Sequence, residues 1–121
     1  MTQEQITKLY DLEERTFVFA KDTRSFVKKL PKTVGNIEDG SQLIRSSGSV
    51  GANYIEANEA FSKKDFLMRT KICRKEAKES RFWLRLVDTK DDPLLEKERI
   101  RLIAEATELM NIFGAIIRKS E

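Results

Sequence analysis

Residues 62–87 read SKKDFLMRTKICRKEAKESRFWLRLV, and two chemistries separate along them at helical spacing. Phe66, Thr70, Cys73, Ala77, Ser80, Leu84 and Val87 follow alternating steps of four and three, which makes one continuous seam of small or mostly apolar side chains. Lys64, Lys71, Lys78 and Arg85 recur every seventh residue, with Arg74, Lys75 and Arg81 beside them. The two stripes lie about 140° apart at about 100° per residue. Such a helix must bury one side and present a row of positive charge on the other, so it needs partner helices.

Composition agrees with a bundle. The chain has 121 residues, 40% hydrophobic and 36% charged, with only 5 Gly and 2 Pro, as expected of one helix-rich domain over 1–121. The fold class expected is all-α, an antiparallel up-down-up-down four-helix bundle. No apolar run approaches the roughly 18 residues needed to span a bilayer, and Met1 to Leu9 lack a cationic start and an apolar block. A cytoplasmic location without membrane contact is therefore expected.

Several reaction classes are removed by residues that are missing. The chain contains no histidine, which excludes Ser/His/Asp and Cys/His triads and removes the commonest metal ligand. The single cysteine, Cys73, lies in the apolar seam and reads as a small buried hydrophobe rather than a nucleophile. Net charge is only +3, yet residues 62–87 carry nine Lys or Arg against three Asp or Glu. That concentration is the footprint expected for an anionic partner, nucleic acid above all. A solvated helix face is the alternative.

Around this helix the rest of the chain divides into three more. The first is expected from Thr2 or Glu4 to Leu30, ending at Pro31. Its broad stripe comprises Ile6, Leu9, Tyr10, Leu12, Phe17, Val18, Phe19, Phe26, Val27 and Leu30, with Thr16 and Thr23 as imperfections. Residues 31–41 contain Pro31, Gly35, Asn36 and Gly40 and read as the longest loop, with an N-cap at Asp39 or Ser41. The second helix is expected from Ser41 to Ala60. It carries one seam of Leu43, Ser47, Val50, Tyr54, Ala57 and Phe61 and another of Ile44, Gly48, Gly51 and Ile55, so it is buried on two sides. The glycine pair suggests close approach of another backbone; a phosphate-binding loop would need a preceding strand and a following Gly-Lys-Ser.

Arg45, Ser49, Asn53 and Glu56 fill the remaining polar face, where they are solvated or bond to neighbouring helices or subunits. Ser62 to Asp65 match a capping box that starts the third helix. At the edge of its seam, Ile72, Glu76, Glu79 and Trp83 share a side. Two carboxylates among apolar groups could act as acid and base or as metal ligands, but the di-metal bundle pattern needs Glu-x-x-His. An ion pair with a basic side chain such as Arg45 fits better, and no metal or other cofactor is expected. Asp92 as N-cap and Pro93 at the first helical position open the fourth helix, which continues to Arg118 after a short connection. Its buried face comprises Leu95, Leu102, Ile103, Ala106, Leu109, Met110, Phe113, Ile116 and Ile117.

Two stretches, QLIRSSGSVGANYIEA at 42–57 and KICRKEAKESRFWLRLV at 71–87, resemble the bacterial four-helix bundle proteins called 23S ribosomal RNA intervening-sequence proteins. Gln42, Arg45, Asn53 and Glu56 match that family's second helix; Lys75, Glu76, Ala77, Glu79, Ser80, Trp83 and Leu84 match its third. Gly48 and Gly51 depart from it, where many members have Ala or Ser. The resemblance implies an up-down-up-down bundle assembled as a homo-oligomer, a ring of five. It also implies kinship with the accessory protein of diversity-generating retroelements, a basic ring working with a reverse transcriptase and nucleic acid. Members are often encoded within insertions in ribosomal RNA genes, and their biochemical role is largely unassigned.

The expected function is therefore a non-enzymatic oligomeric module binding RNA or DNA phosphates through Lys64, Lys71, Arg74, Lys75, Lys78, Arg81 and Arg85. Arg45, Asn53, Glu56, Glu76, Glu79 and Trp83 are expected to serve structure or an interface. The other reading is a scaffold or accessory subunit that binds protein and has no nucleic-acid role.

Overall fold

The computed structural model describes residues 11–121. Four helices run in order: α1 Leu12–Lys29, α2 Val34–Asn58, α3 Lys63–Leu86 and α4 Pro93–Ser120, and the described residues contain no strand. The expected start of the first helix, with Ile6, Leu9 and Tyr10, lies outside the described residues.

Pairs across each seam show that neighbours are antiparallel. Along α1 and α2, Val27 approaches Gly40 while Thr16 approaches Gly51. Ser46 meets Ser80 and Asn53 meets Arg69 between α2 and α3. Arg81 reaches Thr107 while Arg74 approaches Gly114 between α3 and α4. The ring closes where Arg15 pairs with Glu105 and Glu108, and Asp22 with Arg101, between α1 and α4. The result is an all-α four-helix bundle.

The core contains Phe19 and Phe26 of α1, Leu43 and Val50 of α2, Cys73, Ala77 and Leu84 of α3, and Leu102, Leu109 and Phe113 of α4. Burying large apolar side chains contributes about 1.5–3 kcal/mol each before the loss of chain entropy. All of the seam from Thr70 to Val87 is buried, and Phe66 is half-buried. On α1 the apolar stripe is narrower than its composition suggests. Phe17 and Val18 are exposed, whereas Thr16 and Thr23 are fully buried. Residues 12, 16, 19, 23, 26 and 30 keep one side at steps of three and four, so the threonines take core positions and Phe17 falls outside. Thr16 solves its polarity by donating its hydroxyl to Leu12 O at 2.7 Å.

The second helix begins earlier than expected. Its N-cap is Thr33, whose hydroxyl accepts from Asn36 N–H, and not Asp39 or Ser41. Gly35, Asn36 and Gly40, which look like loop residues, lie inside the helix. Asn36 is held by long-range bonds: its Nδ2 donates to Pro31 O at 2.9 Å and Asp88 O at 2.8 Å, and its Oδ1 accepts from Asp88 N–H at 2.9 Å. Gly40 faces Val27 so closely that a methyl there would come within 2.9 Å of Val27 Cγ1. At the other end α2 stops at Asn58, and Phe61 is fully exposed instead of extending the core seam.

The expected starts of α3 and α4 match. Ser62 Oγ accepts from Asp65 N–H at 3.0 Å, and Asp92 Oδ1 accepts from Leu94 and Leu95 N–H, with Pro93 in the first turn of α4. The α3–α4 connection turns through Lys90 and Asp91, both at positive φ, with Lys90 N–H donating to Asp88 Oδ1. Arg99 donates to Val87 O and pairs with Glu96, which also accepts from Thr89. These bonds fix one end of α3 relative to α4.

Candidate nucleic-acid interface

Six of the seven expected cations stand on the outside of α3. Lys64, Lys71, Arg74, Lys75, Lys78 and Arg85 are exposed, and from Lys64 to Arg85 the row is about 30 Å long at about 1.5 Å per residue. Arg81 is half-buried and leans into the α3–α4 seam, its Nη1 3.4 Å from Thr107 Oγ1. Lys71 lies 3.8 Å from the Glu121 carboxylate. Among the described residues the other six have no carboxylate within ion-pair distance. Arg69, also on α3, points the other way and donates to Asn53 Oδ1 at 3.2 Å.

On the opposite flank of α3 the carboxylates are engaged by an arginine of α2. Arg45 on α2 spans Glu76 at 3.3 Å and Glu79 at 2.5 Å, and Trp83 Nε1 donates to the same Glu79 oxygen at 3.3 Å. The Arg45 guanidinium titrates above its ordinary range, chiefly through the Glu79 hydrogen bond. Burial works to raise the Glu79 carboxyl, but the bonds from Arg45 and Trp83 outweigh it and hold it below the usual range. A carboxylate gripped in this way stays ionised, so the arrangement suits a structural clamp better than a general acid. Asn53 Nδ2 donates to Ser49 O at 2.8 Å. Glu56 is exposed and does not join the cluster. Ser46 and Ser80 meet at 2.9 Å beneath it, fully buried, which lets α2 and α3 pack on small side chains.

Cys73 is fully buried, and burial pushes its thiol up to about 12. It remains protonated near neutrality and is no nucleophile there.

Two features of the basic face were not evident from spacing along α3. Arg118, which reads in sequence as a charge at a helix end, lies against Gly114 within reach of Arg74. Behind the row, Lys71, Arg74, Lys75, Lys78 and Ile117 line an open hollow of about 230 Å³. Only the packing of α4 against α3 brings these together. The face can hold a polyanion by charge and by guanidinium hydrogen bonds. Among the described residues, no helix is long and apolar enough to cross a membrane.

Comparison with known proteins places this geometry. A solved protein of unknown function from the S23 ribosomal protein family of Bacteroides thetaiotaomicron VPI-5482 is similar, with a TM-score of 0.77 and 27% sequence identity, over 92% of this chain and 98% of that one. No curated protein matches. The model of the 23S rRNA-intervening sequence proteins matches residues 8–115. A match over that much of the chain, together with a shared four-helix fold, means that this protein belongs to the 23S rRNA-intervening sequence protein family.

Proposed function

We propose that the protein is a non-enzymatic, oligomeric module that binds RNA or DNA through phosphates on the exposed face of α3. The observation that carries this reading is the row of exposed cations, all but Lys71 without a carboxylate partner among the described residues, on a helix whose two carboxylates on the other flank are engaged by Arg45. Five uncompensated charges on the exposed face, Lys64, Arg74, Lys75, Lys78 and Arg85, raise the local potential and attract a polyanion. Contacts of this kind position a backbone without reading bases, so binding is salt-dependent and weakly sequence-selective. Self-association is supported by the α1–α2 flank, where Ile37 and Ile44 line a groove of about 270 Å³ and Ile55 is half-exposed. The family resemblance makes a ring of five the first assembly to test.

The test is binding of nuclease-treated protein to structured RNA and duplex DNA across a salt series, with its mass measured in the same buffers. Replacing Lys64, Lys71, Lys78 and Arg85 together with Gln should abolish binding without loss of helical signal. Unchanged binding by that variant would refute the reading. A mass near one 14.0 kDa chain would refute the oligomer.

Apolar side chains on the same helix favour a second reading. Phe82 and Leu86 are 53% and 52% exposed, with Phe82 packed edge-on to Trp83 at 4.9 Å. A protein partner seated there would make the module a scaffold, and a nuclease-resistant protein complex that contains no nucleic acid would favour it.

A further inference from the structure

Antiparallel packing sets Arg74 of α3 beside Gly114 of α4, and Arg118, one turn further along α4, lies over the same glycine. A methyl group at Gly114 would sit 3.3 Å from Arg118 Nη1 and 3.8 Å from Arg74 Nε. The missing side chain gives the Arg118 guanidinium room to lie close, while Arg74 stands at ordinary contact distance from the same point. Beside it opens the hollow lined by Lys71, Arg74, Lys75 and Lys78, with Ile117 as an apolar element that is nearly buried. Like charges converging from two helices repel one another unless an anion lies between them.

Arg15, Arg45, Arg99 and Arg101 each pair with one or two carboxylates. Among the described residues Arg24, Arg69, Arg74, Arg81, Arg85 and Arg118 pair with none, and of these Arg74 and Arg118 come together beside one residue, Gly114. Guanidinium forks match the oxygens of a phosphate, and an apolar wall strengthens such a contact by excluding water.

We infer that the notch at Gly114 seats one backbone phosphate of a bound nucleic acid, gripped by Arg74 from α3 and Arg118 from α4, with Lys75 and Lys78 neutralising its neighbours. This rests on the nucleic-acid reading above and narrows it to a position. It also adds a residue, Arg118, that lies off the α3 stripe, and a requirement of shape as well as charge.

The experiment is fluorescence anisotropy with a short labelled RNA duplex over a salt series. Arg118→Gln should weaken binding about tenfold at moderate salt and lower the slope of log K against log salt by about one. Gly114→Leu keeps every charge but fills the notch, and should weaken binding to a similar degree. Gly114→Ala, a milder intrusion, should weaken it about threefold, on the order of 0.6 kcal/mol, and serves if the leucine variant does not fold. Lys97→Gln, on an exposed part of α4, is the control for the loss of one charge and should stay within about twofold of wild type. Wild-type affinity in both Arg118→Gln and Gly114→Ala, with binding still lost in the quadruple lysine and arginine variant, would overturn the notch and leave the α3 reading standing. Failure of the wild-type protein to bind RNA at low salt would overturn both.

Discussion

Asn36 shows what one residue does in this bundle. Buried in the first turn of α2, it donates to Pro31 O and Asp88 O and accepts from Asp88 N–H, and so ties the α1–α2 connection to the α3–α4 connection. Asn36→Ala removes three bonds at once and leaves backbone groups with no partner. It should destabilise the fold by about 2–3 kcal/mol, read as a lower urea midpoint at unchanged slope. Asn36→Asp should lose nearly as much, since a carboxylate can accept from Asp88 N–H but cannot donate to the two carbonyls. A midpoint for Asn36→Ala within experimental error of wild type would show that the two connections are held by packing instead. Thr23 is the counterexample: fully buried, its hydroxyl makes no hydrogen bond in the described structure. Thr23→Val keeps the shape and is therefore expected to be neutral or stabilising.

Among the elements, α2 departs most from the reading of its sequence. Pro31, Gly35, Asn36 and Gly40 have the composition of a loop, and each helical glycine costs only about 1 kcal/mol relative to Ala. Packing and the Asn36 bonds outweigh that cost, so α2 starts at Val34. Its glycines also differ in what surrounds them. A methyl at Gly51 would fall 2.9 Å from Thr16 Oγ1 and 3.2 Å from Thr16 Cβ, whereas nothing lies within 4 Å of one at Gly35. Gly51→Ala should therefore force α1 and α2 apart and cost about 1–3 kcal/mol. Gly35→Ala should be neutral or stabilising by up to about 1 kcal/mol. Thermal melts of the two variants separate these effects; equal shifts would mean that close helix approach does not matter at Gly51. Helices α3 and α4 were legible because their starts, Ser62 and Asp92-Pro93, are local capping signals that need no partner.

Across the whole molecule three carboxylates titrate low, Glu79 through a bond from α2 and Glu96 and Glu98 partly or wholly through arginines three residues along α4. Glu79 is held down by Arg45 and Trp83 against the effect of burial. Glu96 is held down by Thr89 and then Arg99. Glu98 is held down by Arg101, again against burial. Each folded-state value lies below the ordinary 4.5, so the unfolded chain takes up protons first as pH falls. Their contribution to stability is complete above about pH 4.5 and is lost as pH drops through the folded-state values. Urea stability should thus be level from neutrality to about pH 5 and decline below. Arg45→Gln should reduce that decline, because it releases Glu79 from its main partner. An acid slope identical to wild type in Arg45→Gln would assign the acid sensitivity elsewhere.

At the same scale, sequence and tertiary structure divided the molecule between them. The sequence by itself determined the bundle, the buried seam of α3, the cationic row opposite it and the family to which the motifs belong. The first three follow from spacing of three, four and seven within single helices, where geometry is local; the family follows from the resemblance of the motifs at 42–57 and 71–87. Only the tertiary structure decided which charges are committed elsewhere. Arg69 goes to Asn53 and Arg15 to Glu105 and Glu108, whereas the pairing of Arg45 with Glu76 and Glu79 was already legible in the residue types. It alone brought Arg118 to Arg74 across Gly114 and put Asn36 against Asp88. These pairs lie 16 to 93 residues apart, on different helices or connections, and no periodicity within one helix encodes them. They exist because antiparallel helices in a fixed register bring distant side chains to within hydrogen-bond reach.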